Sequence, residues 1–358
     1  MNASMPHAAR ALPQRNYLSC LQAYRGIAAV AVLLYHVTEL ARTKLGCDLW
    51  FGLFHAGNLG VDFFFVLSGF IILHANGRSI GDPSAARKYI YARLTRIYPV
   101  FLSICALKLG FMFAGGGGVR EGKTDLGYIL SSLLLWPLDR PPFLDVAWTL
   151  SFEMTFYFLF LFLIFYGASL WRVVVAHAFV VLLLHLPGVP ELTFPASFLF
   201  SPYFLEFYLG CAACALVRHW RARRAAALAI FLGGGGLFIL GYGFLRQLDE
   251  CGELVQRFYL GLAFAMIVLG SVALGQRFDG LVPRWLKATG DASYSIYLLH
   301  GNLVNLGINF LLAQGRGSGE TPQWMFLALA ALVFAGSYGF YLAVEKPLLQ
   351  FCRKRAPK

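Results

Sequence analysis

The chain has 358 residues, of which 58% are hydrophobic, 16% aromatic and only 13% charged; so little polar material cannot clothe a soluble body of this size, which leaves an integral membrane protein. The formal net charge of +12 follows from the distribution of Lys and Arg among membrane loops, so nucleic acid is an unneeded partner. Seven cysteines, an odd number with several inside apolar runs, exclude a disulfide framework, and no zinc-binding spacing occurs, so no metal is expected.

Residues 1–16 read as a cytoplasmic N-terminal tail, because the apolar segment behind them outruns a signal-peptide core and has no small-residue cleavage site. Spanning runs follow at 19–40, 57–75, 97–114, 147–167, 173–187, 201–217, 225–245, 256–275, 293–313 and 324–344, which predicts about ten transmembrane helices. The stretch 126–136 is too short to span and ends at Pro137, so it reads as a short re-entrant or interfacial helix. Neither glycine run, 115–118 or 233–236, ends in a GKS/T or follows a strand; a turn and a close-packing or kinked helix are the readings, not phosphate loops. Cys211 and Cys214 form a CxxC within an apolar helix, where small packing residues are expected. Alternate loops divide twenty Lys and Arg against eight, which puts both termini in the cytoplasm. The fold class is all-α and polytopic, one transmembrane domain over 17–347 followed by a basic cytoplasmic tail over 348–358.

Ionisable groups inside a membrane are costly and point to function. In the run "YRGIAAVAVLLYH", eleven steps of 100° bring Arg25 and His36 to within about 20° of the same helix face, roughly 16 Å apart along the axis. Asp62 and Glu153 fall at about the depth of His36, and an imidazole beside carboxylates suits general-base work; a buried hydrogen-bonded trio that only ties helices together is the alternative. Arg93 and Arg96, three residues apart at the start of a helix, share a face and with Arg25 form a candidate anion site, although positive-inside charge alone accounts for them equally well. His74, His177 and His185 sit near helix ends, and His300 with Tyr294 and Tyr297 reads as interior packing.

In order along the chain, "YLSCLQAYRGIAAVAVLLYH", "GVDFFFVLSGFII", "RLTRIYP", "WTLSFEMTFYF", "SYSIYLLH" and "VEKP" resemble the successive signatures of the membrane-bound acyltransferase 3 family, from about Tyr17 to Pro347. In appearance the chain is closest to stand-alone bacterial exopolysaccharide O-acetyltransferases. The resemblance implies ten helices in a bacterial inner membrane and transfer of an acyl group, usually acetyl from acetyl-CoA, to a sugar hydroxyl of a polysaccharide or other glycan. It carries the family's essential arginine and histidine onto Arg25 and His36, its arginine pair onto Arg93 and Arg96, its Ser-Gly-Phe onto Ser68, Gly69 and Phe70, and its glutamate onto Glu153, with Trp148 and Tyr157 as motif residues of the same signature. Many relatives end in a soluble periplasmic domain; here the sequence stops eleven residues after Pro347, so no second domain is expected.

The resulting expectation is that Arg25, Arg93 and Arg96 hold the phosphates of acetyl-CoA while its arm runs up the first helix toward His36, the general base or a transient acyl acceptor, with Glu153 and Asp62 orienting the imidazole. The acceptor is a glycan or lipid-linked saccharide, and polysaccharide synthesis machinery is a candidate partner. A proton-coupled transporter or flippase for a lipid-linked saccharide is the alternative, although no matched broken helices are evident.

Overall fold

A computed structural model describes residues 18–114, 125–220, 223–248, 252–275, 280–316 and 321–357; the tail over 1–16 and the glycine run 115–118 lie outside them. The described residues are helical with no strand. The helices are α1 (Leu18–Leu45), α2 (Gly60–Asn76), α3 (Ala86–Phe113), α4 (Leu126–Leu133), α5 (Trp148–Tyr166), α6 (Trp171–Leu184), α7 (Ala196–Leu199), α8 (Tyr203–His219), α9 (Arg224–Leu248), α10 (Glu253–Leu274), α11 (Arg284–Asp291), α12 (Ser293–Ala313), α13 (Gln323–Phe340) and α14 (Lys346–Lys354), with a π-helical turn over Tyr341–Glu345 joining the last two.

Nine of the described helices are long and apolar enough to cross a membrane. The tenth expected span, 173–187, falls on a shorter apolar helix. Its apolar helix covers only Ala168–Leu184, about 26 Å at 1.5 Å per residue against a hydrocarbon layer of about 30 Å, and the chain leaves the helix just before Pro187 and Gly188. The stretch 126–136 does form a short helix, α4, started by Asp125, whose carboxylate accepts from the Tyr128 amide at 2.8 Å as an N-cap does. Leu126, Leu130 and Leu134 are exposed along one side of it, the stripe an interfacial helix turns to lipid. Within the expected C-terminal tail, 348–354 belong to α14, which packs on α3, where the Tyr91 hydroxyl donates to the Cys352 carbonyl at 2.8 Å.

Lipid tails are as apolar as leucine, so in a membrane helices gain by close packing rather than by burying apolar area. The crossing of α2 and α8 shows how. A Cβ on Gly69 would strike the Phe207 carbonyl, and one on Gly210 the Val66 carbonyl, both well inside van der Waals contact; the two backbones touch because both residues are glycine. Around this crossing lies an aromatic core in which Phe65, Phe152, Phe156, Phe204 and Phe207 stack and tilt against one another. At the end of α2, Arg218 of α8 donates to the Leu73 and His74 carbonyls at 2.8 and 2.9 Å, satisfying acceptors that a helix terminus leaves open. A second core joins α1, α12 and α13 through Leu33, Val37, Val304, Ile308 and Phe326.

Gly69→Ala therefore overpacks the crossing and lowers stability by about 1–3 kcal/mol. Thermal unfolding in detergent checks this, with Gly336→Ala, whose added methyl group meets nothing within 4 Å, expected to unfold like the parent.

Candidate active site

Between α1, α2, α3, α5, α12 and α14 lies a cavity of about 420 Å³. Along α2 its lining runs from Ile72 to Val61, eleven steps or about 16 Å of helix. One end is rimmed by Lys88 and Tyr91 of α3 and by Cys352 and Arg353 of α14; Thr149 of α5 and Tyr297 of α12 belong to the other. Five cations, Arg25, Lys88, Arg93, Arg96 and Arg353, face one carboxylate, Glu153, among its lining residues.

The arginines are held differently. Arg93 lies over the rings of Tyr89 and Tyr157, 5.8 and 5.5 Å from their centroids, and its buried Nε has no hydrogen-bond partner among the described residues. Arg96 is tied down: it donates to Glu345 at 3.3 Å and lies over Tyr294 at 5.4 Å. Glu345 is completely buried, and its other oxygen accepts from the Ser295 amide and hydroxyl at 3.1 and 2.5 Å. The π turn that ends in Glu345 aims this carboxylate inward, at the place where one wide turn reorients the helix. Arg25 makes no hydrogen bond or ion pair with the described residues, yet lies within electrostatic reach of Arg96, Glu153, Glu345 and Tyr157. A guanidinium without a partner in an apolar wall has donors to offer an anion.

Glu153 accepts hydrogen bonds from the Tyr157 hydroxyl, one turn on, and from the Ser68 hydroxyl at 3.4 Å. At the far end Thr149 Oγ1 and the Tyr297 hydroxyl lie 3.0 Å apart. Tyr297 packs on His300, with centroids 5.6 Å apart, and His300 on His36, with centroids 4.6 Å apart. His36 thus sits just past the far end of the cavity, half-buried. Its Nδ1 is 3.0 Å from the Val32 carbonyl and 3.2 Å from His300 Nε2.

Of the eleven residues singled out by sequence, Arg25, Ser68, Arg93, Arg96, Glu153 and Tyr157 line this one cavity. The trio of His36, Asp62 and Glu153 expected from their common depth does not assemble. Glu153 bonds to Ser68 and Tyr157 instead of the imidazole, and Asp62, almost fully buried, pairs with Arg257 of α10 at 2.5 Å. Arg257 also lies over the Tyr203 ring at 4.3 Å, and fully buried Glu206 has neither oxygen hydrogen-bonded among the described residues. Equal depth fixes position along the membrane normal and says nothing about which faces of two helices meet. Gly69 serves the α2–α8 crossing, Phe70 is core and stacks on His74, and Trp148 packs among Phe65, Phe152 and Tyr203. Sequence reading passed over His300 as packing and gave Glu345 and Arg257 no role; each is an ionisable group within a described membrane-length helix, the signal that could have found them. No cluster of three or more His, Cys, Asp or Glu able to hold a metal occurs among the described residues.

The family model described as "Acyltransferase domain", that of acyltransferase 3, matches residues 18–342. The chain is similar to the exopolysaccharide production protein ExoZ of Rhizobium meliloti (strain 1021), with 31% identity over 84% of this chain and 92% of that protein. It is also similar to the acyltransferase MdmB of Streptomyces mycarofaciens, with 24% identity over 95% of this chain and 94% of that protein. No solved structure matches.

Proposed function

The chain belongs to the membrane-bound acyltransferase 3 family and is a membrane acyltransferase; we propose that it moves an acetyl group from acetyl-CoA to a sugar hydroxyl of an exopolysaccharide or lipid-linked glycan. The observation that carries this reading is a single cavity that begins at cations and ends beside paired hydroxyls next to the histidine pair. A donor that is polyanionic at one end and reactive at the end of a long arm matches that order. The exopolysaccharide acceptor is supported by the likeness to ExoZ. Both termini and the basic mouth face the cytoplasm of a bacterial inner membrane, where the excess of Lys and Arg belongs.

In this mechanism Arg25 and Arg93 take the donor phosphates, with Arg96 held beside them by Glu345. The arm lies against the inward face of α2, and the thioester arrives by the Thr149 and Tyr297 hydroxyls, the donors nearest to its carbonyl oxygen as negative charge develops there. His36 removes the proton from the acceptor hydroxyl as that oxygen attacks the carbonyl. The carbon–sulfur bond breaks, and the proton passes from His36 to the departing thiolate, leaving the ester and free CoA. Glu153 offsets the arginine charge within the cavity.

Labelled acetyl-CoA supplied to the protein in liposomes with glycan extract tests the reading. Label in the glycan is expected; an absence of both label and CoA release from folded protein given its native glycan counts against it. Arg25→Ala and Arg93→Ala are each expected to raise KM for acetyl-CoA about tenfold or more, since a charge-assisted hydrogen bond contributes roughly 1.5–3 kcal/mol. Steady-state kinetics at two salt concentrations checks this, with the parent's KM the more salt-sensitive.

A further inference from the structure

His300 is fully buried, its ring facing His36 across the α1–α12 contact. Two imidazoles meeting nitrogen to nitrogen must divide the protons between them, and the surrounding backbone decides how. His300 Nδ1 lies 2.5 Å from the Tyr297 carbonyl and 3.3 Å from that of Ile296. A carbonyl can only accept, so Nδ1 of His300 carries its proton and Nε2 of the neutral ring is a bare lone pair. His36 Nδ1 lies 3.0 Å from the Val32 carbonyl, which by the same reasoning puts a proton there. That proton also points within 3.2 Å of His300 Nε2, a donor meeting an acceptor. The only tautomer of His36 consistent with both neighbours leaves Nε2 unprotonated.

Resting on the reading of His36 as the base, we infer that His300 is its positioning residue: it accepts the Nδ1–H of His36, holds Nε2 as the bare nitrogen that reacts, and shares the charge of the imidazolium formed when Nε2 takes the hydroxyl proton. This is the place the sequence offered to Glu153 and Asp62. A neutral imidazole fills it without adding a buried negative charge that would need a partner of its own. No proton is gained or lost over the cycle: the one that Nε2 takes from the acceptor hydroxyl goes to the CoA thiolate, and Nδ1–H stays on His36 throughout. The arrangement has the geometry of a base oriented by a third group, with a second histidine as the orienter.

The test compares His300→Gln with His300→Leu. A glutamine amide oxygen can stand where Nε2 was and accept from His36; leucine fills similar space and accepts nothing. With acetyl-CoA and glycan in liposomes, His300→Leu is expected to lower kcat about 100-fold with KM for acetyl-CoA unchanged, and His300→Gln to retain several times more kcat than His300→Leu. A purely structural role predicts that leucine is the better tolerated, and either that order or a loss confined to KM overturns the inference. A parent that transfers no acetyl group refutes the donor assignment instead, and a second measurement then decides the histidine pair independently. In nitrogen-15 NMR of histidine-labelled protein in lipid, with resonances assigned by difference against His36→Gln and His300→Gln, protonated Nδ1 and bare Nε2 are expected on His36, with its Nδ1 signal moving in His300→Leu. A protonated Nε2 on His36 in the resting protein overturns the inference.

Discussion

His36→Ala and His36→Gln are each expected to reduce acetyl transfer to glycan by about 10³-fold, within the range of 10²–10⁴ that a positioned acid–base group contributes. The loss falls on kcat. The arginines proposed to take the donor phosphates lie along the cavity and toward its mouth, whereas His36 lies past its far end beside His300, so affinity for acetyl-CoA is expected to be preserved. That split separates His36 from Arg25, whose replacement acts on KM, although both belong to α1 and sit on nearly one face of it. The measurement is steady-state transfer by detergent-purified variants returned to lipid, with matched unfolding temperatures as the control for folding. Equal kcat for His36→Gln and the parent would remove His36 from the chemistry and send the search for a base to Glu153, the carboxylate that lines the cavity.

Asp62 shows the opposite pattern: a large effect on stability and a small one on catalysis. Its carboxylate and the Arg257 guanidinium are paired at 2.5 Å, with only 3% and 15% of their side-chain surfaces exposed. Asp62→Ala leaves Arg257 with only the longer ion pair to Glu253, at 3.6 Å, and breaking a buried pair from one side costs about 3–5 kcal/mol. Arg257→Ala strands the carboxylate beside Glu206 and is expected to be at least as damaging. The double variant Asp62→Ala/Arg257→Ala recovers part of the loss, because neither charge is then left without its partner. Thermal unfolding of the four proteins in one detergent measures the cycle, and kcat per folded molecule should change by less than threefold in any of them. Additive losses in the double variant would mean that the two groups are not coupled.

What sequence could supply and what it could not divide along physical lines. Long apolar runs report a helix and its length, so nine of the expected runs fall on described helices of membrane-spanning length and the tenth falls on the shorter apolar helix Ala168–Leu184. The arginines of α3 and the Glu153–Tyr157 step share a helix face by spacing alone, and they do line one cavity. Contacts between helices were beyond reach, because depth along the membrane normal leaves rotation and neighbours undetermined. Hence Asp62 was assigned to His36 when Arg257, in the second turn of α10, takes it. His36 was expected against carboxylates and meets a histidine 264 positions away. Glu345 lay one residue past the expected end of its helix, since a hydropathy run stops at the first charge even where the helix continues through it.

The lengths of two helices bear on where the donor would enter. Pro83–Phe113, which includes α3, has 31 residues and Gln323–Lys354, which includes α13 and α14, has 32; at 1.5 Å per residue each is a rod of about 46–48 Å, against some 30 Å of hydrocarbon. The excess belongs to the charged ends, since Arg87, Lys88, Arg93 and Arg96 open one rod and Arg353 and Lys354 close the other. Those ends are the walls that carry Lys88, Tyr91, Cys352 and Arg353 around the opening. On the proposed reading the mouth is the lip of a short chimney whose walls are longer than the hydrocarbon layer is thick. A multiply charged molecule can descend into it from water and deliver its far end deep into the bilayer without its phosphates ever leaving a polar layer.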